Sequence, residues 1–207
     1  MNLTQRKKKG HLIVLSGPSG VGKSTVISEV LGLRDELYFS VSYTTRAPRA
    51  GEEDGVSYHF VDRPAFETMI ANDELLEYAE YVDHYYGTSL RTIQEKLDQG
   101  IDVLLDIEVQ GASKVRKKCP DAVLIFIIPP SFEELSRRLH GRHTDNEEVI
   151  AGRLAKAREE YKQIKNYDYL VVNDKVSRAA AEILAILTAE DCRTEHRIHL
   201  IEGDNAL

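Results

Sequence analysis

Gly17-Pro18-Ser19-Gly20-Val21-Gly22-Lys23-Ser24-Thr25 satisfies the pattern G-x-x-x-x-G-K-[ST] at every constrained position. Upstream, His11-Leu12-Ile13-Val14-Leu15-Ser16 reads as a short buried strand. Downstream, Val26, Ile27, Val30 and Leu31 recur at helical spacing. Strand, glycine-rich turn and helix in that order make the stretch a phosphate cradle. Glycines at 17, 20 and 22 let successive backbone N–H groups converge on an anion, and the helix N-terminus adds its positive dipole end. Lys23 supplies a mobile charge for the β- and γ-phosphates of a nucleoside triphosphate. Ser24 offers its hydroxyl to Mg2+, a hard cation that takes oxygen ligands. Residues 17–25 are therefore the expected binding segment for a nucleoside triphosphate, and they imply an NTPase or a kinase without choosing between them.

The rest of the composition narrows the class by exclusion. A chain of 207 residues accommodates one α/β domain with a small inserted lobe. The formal charge of −7 gives no global reason to expect nucleic acid or a membrane as partner, so anionic substrates must be held by local clusters of arginine and lysine. Cys119 and Cys192 show neither metal spacing nor a paired pattern, which fits a reduced, cytoplasmic setting. No stretch approaches the ~18 apolar residues of a membrane span. Arg6-Lys7-Lys8-Lys9 is read as part of a solvated tail over residues 1–10.

Along the chain, Leu37–Val41 has strand character and runs into Ser42-Tyr43-Thr44-Thr45-Arg46-Ala47-Pro48-Arg49-Ala50-Gly51-Glu52, read as an irregular working loop. Its two arginines repel one another unless an anion lies between them, and a guanidinium fork matches a phosphate. Val56–Val61 alternates as a strand, 63–72 is helical, and Leu75–Val82 returns to strand. Residues of about 40–89 thus form an inserted mixed α+β lobe of short antiparallel strands. A helix over 90–99 closes at Gly100. The apolar strand Ile101–Glu108 then ends in carboxylates, where open α/β sheets bind ligands. A helix over 111–118 and the fully apolar strand Val123–Ile128 follow. Ser131-Phe132-Glu133-Glu134 is a capping box for a helix through Leu139, and Asp145 or Asn146 starts another to about Ile164. The arginines at 138, 142 and 153 suggest a helical lid over about 137–155, although spacing alone does not separate lid arginines from ordinary surface charges. Strand 168–173 and helix 176–190 complete a core of 11–39 and 90–190, and 191–207 is a tail without a strong pattern.

A phosphate loop facing an arginine loop across the sheet's carboxyl edge suits phosphoryl transfer. An acceptor that is itself a phosphate monoester, with a second pKa near 6, needs no catalytic base. The segments Gly17 to Thr25, Ser42-x-Thr44-Thr45-Arg46-x-Pro48-Arg49-x-Gly51-Glu52, Tyr58-x-Phe60, Glu77, Tyr85-Tyr86-Gly87-Thr88, Asp106-Ile107-x-x-Gln110-Gly111 and Pro129-Pro130-Ser131 together resemble the guanylate kinase family over about residues 11–190. The resemblance implies a P-loop NTPase-type parallel sheet flanked by helices, and transfer from ATP to GMP with Mg2+. It also implies residue roles. Lys23, Arg46, Arg138, Arg142 and Arg153 would be catalytic. Arg46, Arg49, Tyr58 and Tyr86 would hold the GMP phosphate, and Ser42, Glu77, Thr88 and Asp106 would address guanine. Ser24 would hold Mg2+, with Asp106 acting through water. An ionised Glu77 can accept from guanine N1–H and N2–H2 together, whereas adenine turns a lone pair toward it, a mismatch worth a factor of roughly 10⁴.

Three positions depart from the family pattern: His143 follows Arg142 in place of glycine, Glu108 stands where aspartate is common, and Lys175 stands where Asn-Asp-Asp is common. The rival reading is a catalytically silent guanylate-kinase-like module that binds proteins. Such modules typically lack the intact phosphate loop kept here. A signalling GTPase would need an N-K-x-D element, which this chain does not contain. Monomer and homodimer, GMP and dGMP, and ATP and other donors are left open by the sequence.

Overall fold

The computed structural model describes residues 9–81, 83–141 and 146–198. Five parallel strands, β1 (Leu12–Ser16), β2 (Leu37–Phe39), β7 (Asp102–Asp106), β8 (Val123–Ile128) and β9 (Tyr169–Val172), form the main sheet in the order β2-β7-β1-β8-β9. Alternation along β1 explains the two layers around it. Ile13 and Leu15 face α1 (Lys23–Leu33) and α7 (Val176–Asp191), whose Val26, Ile27, Val30, Ala179, Ile183 and Leu187 complete that half of the core. Leu12 and Val14 point the other way, to Ile93 and Leu97 of α3 (Leu90–Asp98) and Ala112 and Val115 of α4 (Val109–Lys118). The strands therefore carry nearly continuous apolar runs, as a sheet covered on both faces requires.

The second sheet holds four strands in the order β4-β3-β6-β5: β3 (Tyr43–Thr44), β4 (His59–Phe60), β5 (Leu75–Tyr81) and β6 (His84–Ser89), with α2 (Arg63–Ala71) between β4 and β5. Two corrections to the sequence reading arise here. The polar stretch after residue 42 begins with strand β3, in the interior of this sheet. Its backbone pairs Tyr43 with His59 and Gly87, and Thr44 with Phe60 and Tyr86, so ladder hydrogen bonds override an unpromising composition. The lobe is also not purely antiparallel, because β3 and β4 run parallel. Val56 stays outside the regular strands, and only His59–Phe60 of the expected 56–61 strand is paired as such.

Helices α5 (Phe132–His140) and α6 (Glu147–Tyr161) pack Leu135 and Leu139 against Ile150 and Ala157 in a small core of their own. Ser131 Oγ accepts from the Glu134 N–H at 3.1 Å, but the Glu134 carboxylate is engaged by Arg137 and Arg138, so the expected capping box is completed on one side only. Helix α4 starts at Val109, two residues before the expected Gly111, and α6 stops at Tyr161, short of Ile164. Past Glu190, α7 ends at Asp191 and a four-residue helical turn, α8 (Thr194–Arg197), follows.

Candidate active site

The phosphate loop lies between the end of β1 and α1, over the carboxyl edge of the main sheet. Gly22 is the N-cap of α1 in the left-handed region (φ 88°), and no side chain caps the helix, so the first-turn amides around Lys23 to Thr25 are available to an anion. A Cβ at Gly22 would come within 2.8 Å of Asn173 Nδ2, which itself donates 2.8 Å to the Val21 carbonyl. Asn173, at the end of β9, thus buttresses the loop from beneath. Ser24 and Thr25 are exposed at the start of α1. Lys23 Nζ lies 2.6 Å from Asp106 Oδ1 at the end of β7, an ion pair at the centre of the edge.

Two of the three expected lid arginines meet this loop. Arg138 donates to the Val21 carbonyl and the Asn173 carbonyl, both at 2.9 Å, and its Nε reaches Glu134 at 2.8 Å. Arg137 first and then Arg138 hold the Glu134 carboxyl down to about 2. Leu139 sits where a Cβ on Gly20 would be, 2.7 Å from its Cδ2, so α5 is docked on the loop. Arg153 of α6 reaches Ser19 Oγ at 3.5 Å. Arg142 and His143 lie outside the described residues.

The lobe builds a second cluster, around Arg46. Arg46 is gripped by Glu52 through both fork nitrogens (2.9 and 2.8 Å), and the Arg49 N–H donates to the same carboxylate at 2.8 Å. Glu52 keeps the Arg46 guanidinium above its ordinary pKa in spite of partial burial, with Tyr86 adding to the effect. Arg46 lies 5.4 Å from the Tyr58 ring centroid, and Tyr58 is 6.0 Å from Tyr86. Burial chiefly, and then Tyr86 and Asp106, push the Tyr58 hydroxyl upward. The Arg49 side chain is exposed.

Beside this arginine site is a buried carboxylate. An irregularity in the β5–β6 register places Leu75 opposite Ser89 and Glu77 opposite Thr88, with Leu76 as the extra residue. Leu75, Leu76 and Glu77 are buried, Leu76 in the main core and Glu77 at the lobe side, where Thr88 Oγ1 donates to Glu77 Oε1 at 2.6 Å. Burial pushes the Glu77 carboxyl up; the Thr88 hydroxyl, then Lys114 and Lys118, oppose it. Ser42 is half-buried at the entry to β3, and its carbonyl accepts from the His59 N–H at 2.8 Å. Of the residues expected around guanine, Glu77 and Thr88 touch, whereas the partner of Asp106 is Lys23.

Sequence reasoning gives no role to Glu52 or Asn173, and gives Glu134 only that of closing a capping box. Glu52 stands inside the quoted arginine motif, and Asn173 is the polar residue ending an apolar strand, but neither position reveals its partner. Of the three departures from the family pattern, Glu108 stands at the N-cap position of α4 but turns its carboxylate to Lys156 of α6 at 2.8 Å, and Lys175 is the exposed N-cap of α7.

Comparisons with known proteins agree with this geometry. The sequence profile of the guanylate kinase family matches residues 9–190. The chain is 54% identical to a guanylate kinase of Halalkalibacterium halodurans over 192 residues, covering 93% of this chain and 94% of that protein. It is 51% identical to one of Lactococcus lactis subsp. lactis over 200 residues, covering 95% and 98%. The crystal structure of guanylate kinase from Anaplasma phagocytophilum superposes with a TM-score of 0.80 at 35% identity, covering 99% of this chain and 100% of that one. With an intact phosphate loop, an arginine-bearing lobe and these relatives, the chain belongs to the guanylate kinase family.

Proposed function

We propose that this ATP:GMP phosphotransferase works with Mg2+ and with its residues in the following roles. The phosphate loop, Gly17 to Thr25, cradles the triphosphate of ATP, and Lys23 leaves Asp106 to follow the β- and γ-phosphates. Arg46, Arg49, Tyr58 and Tyr86 seat the GMP phosphate, while Glu77, assisted by Thr88 and Ser42, accepts from the guanine edge. Arg153 and Arg142 neutralise charge on the phosphoryl group in transit. Arg138, committed to two backbone carbonyls, fixes α5 to the loop and adds its charge from there.

The supporting observation is the placement of Tyr58, whose ring lies 5.4 Å from the Arg46 guanidinium and 6.0 Å from the Tyr86 ring, so three of the residues read as the seat of the acceptor phosphate stand in one cluster. An acceptor phosphate that is already dianionic attacks without a base. The work of the site is then alignment, charge neutralisation and exclusion of water. The donor set of Ser24 hydroxyl and Asp106 carboxylate consists of hard oxygens and fits Mg2+. When bound, the ion would neutralise charge on the phosphate oxygens. The acceptor range includes dGMP in this reading. Among the described residues no helix is long and apolar enough to cross a membrane, and the free cysteines support a cytoplasmic setting.

The test is coupled ADP release from ATP and Mg2+ with GMP, AMP, CMP, UMP and dTMP offered separately. Turnover is expected with GMP alone. Lys23→Ala is expected to fold, bind GMP and lose about 10²–10³-fold in kcat. Undiminished turnover in the Lys23→Ala variant would remove Lys23 from the mechanism. A folded wild-type protein that binds GMP but turns over no acceptor would favour the silent binding module.

A further inference from the structure

Helix α4 presents one stripe to the strand that carries the guanine reader. Gly111, Lys114 and Lys118 are spaced by three and four residues and so share a face. At the top of the stripe, a Cβ on Gly111 would lie 2.6 Å from Glu77 Oε2, so the carboxylate rests directly against the first turn of α4. That turn has no side-chain cap, and its positive end favours a neighbouring anion. Further down, Lys114 donates to the Tyr78 carbonyl with its Nζ 4.6 Å from the Tyr78 ring centroid, and Lys118 donates to the Leu75 carbonyl at 3.0 Å. The two ammonium groups are therefore pinned to backbone oxygens on either side of Glu77 in the chain.

The arrangement answers a physical problem. A buried carboxylate tends to take up a proton, and a protonated Glu77 can no longer accept two guanine N–H groups at once. The elements packed around Glu77 contribute as follows. Strand β6 supplies the neutral Thr88 hydroxyl, and the apolar Ile107 lies beside Gly111 next to the carboxylate. The α4 cap residue Glu108 is engaged with Lys156. Lys114 and Lys118 are the charged groups that act on Glu77.

We propose that Lys114 and Lys118, with the gap left by Gly111, are positioning residues that hold the Glu77 carboxylate against α4 for recognition of the guanine edge. This rests on the reading of Glu77 as the base-selecting residue. The lysines touch no reacting atom; they act through Glu77.

GMP affinity measured calorimetrically from about pH 5.5 to about pH 8.5 tests the idea in the wild type and in Lys114→Met/Lys118→Met. Removing the cations lets a proton compete for Glu77 at higher pH, so binding is lost earlier as the pH falls. The ratio of variant to wild-type Kd is expected near one at the alkaline end and to rise to about tenfold at the acid end. The ionisation of the GMP phosphate is common to both proteins and cancels in that ratio. Lys114→Arg/Lys118→Arg keeps the charges and is expected to restore the wild-type profile. Gly111→Ala, which crowds Oε2, is expected to weaken GMP at every pH. A ratio that stays flat across the range overturns the proposal. In a Glu77→Gln background the lysine changes are expected to leave the pH dependence unmoved. If Glu77→Gln itself leaves the preference for GMP over AMP intact, the underlying reading of Glu77 fails and the proposal fails with it. A collapse of that preference together with a flat lysine ratio overturns the lysine role alone.

Discussion

Glu52 shows how a single residue can decide whether an arginine pair is a site. Two arginines six and three residues before it converge on its carboxylate, Arg46 through its fork and Arg49 through its backbone N–H. In the proposed role of Arg46, such an acid lowers the net charge offered to the GMP phosphate but fixes the fork in one orientation in advance, which would reduce the ordering cost of binding. Glu52→Gln keeps the shape and loses the ionic grip. We expect KM for GMP to rise about tenfold with KM for ATP unchanged, because hydrogen bonds between ionised partners are roughly twice as strong as neutral ones. An unaltered KM for GMP in steady-state kinetics would show that Arg46 needs no such hold. The arginines themselves are legible in the sequence, because two guanidiniums around a proline call for an anion. The use of Glu52 is not, since the loop's path sets which of its acids turns inward. Arg138 shows the converse. The family resemblance implies a lid charge at this position, and the structure commits its nitrogens to the Val21 and Asn173 carbonyls and to Glu134.

At the scale of elements, the long periodic segments are readable and the short ones are not. Helices α1, α3 and α7 and strands β1, β7 and β8 follow from apolar spacing, because a buried face imposes its period on the sequence. Strand β3 spans two residues, too few to carry a period, and its place in the lobe sheet is fixed by partners drawn from residues 59–60 and 86–87. The irregularity at Leu76 is equally invisible, yet it sends Leu76 into the core and leaves Glu77 beside Thr88. A third junction joins β9, the phosphate loop and α5 through Asn173, whose side chain and carbonyl serve Val21 and Arg138 respectively. Asn173→Ala would leave the buried Val21 carbonyl with one donor fewer, a loss of about 1–2 kcal/mol. We expect a lower melting temperature and a several-fold higher KM for ATP, with KM for GMP untouched. A rise confined to the GMP side would contradict this assignment.

Across the whole molecule, chemistry and anchorage occupy opposite edges of the main sheet. The carboxyl edge carries Lys23, Asp106 and the phosphate loop. At the amino edge, Arg34 beyond α1 bridges Asp102 at the start of β7 (2.5 Å) and Asp191 at the end of α7 (3.3 Å). His11, just before β1, adds its backbone N–H to Asp102 at 2.8 Å and its ring to Asp191 at 3.1 Å. The ends of four elements, α1, β1, β7 and α7, are thereby tied on the edge of the sheet opposite the phosphate loop. Asp102 is 4% exposed, so removing its cation leaves a buried charge without its ionic partner, a change that costs about 3 kcal/mol, whereas removing both charges together costs less. Arg34→Met is accordingly expected to lower stability in denaturant titration by about that amount, and Arg34→Met/Asp102→Asn to recover part of it, a non-additivity expected of residues in direct contact. Kinetic constants measured well below the melting transition are expected to stay at wild-type values in both variants. Equal stability of wild type and Arg34→Met would mean that water serves Asp102 as well as the guanidinium does. A change in KM for either nucleotide would mean that the two edges of the sheet are coupled and that the amino-edge network belongs to the working of the enzyme.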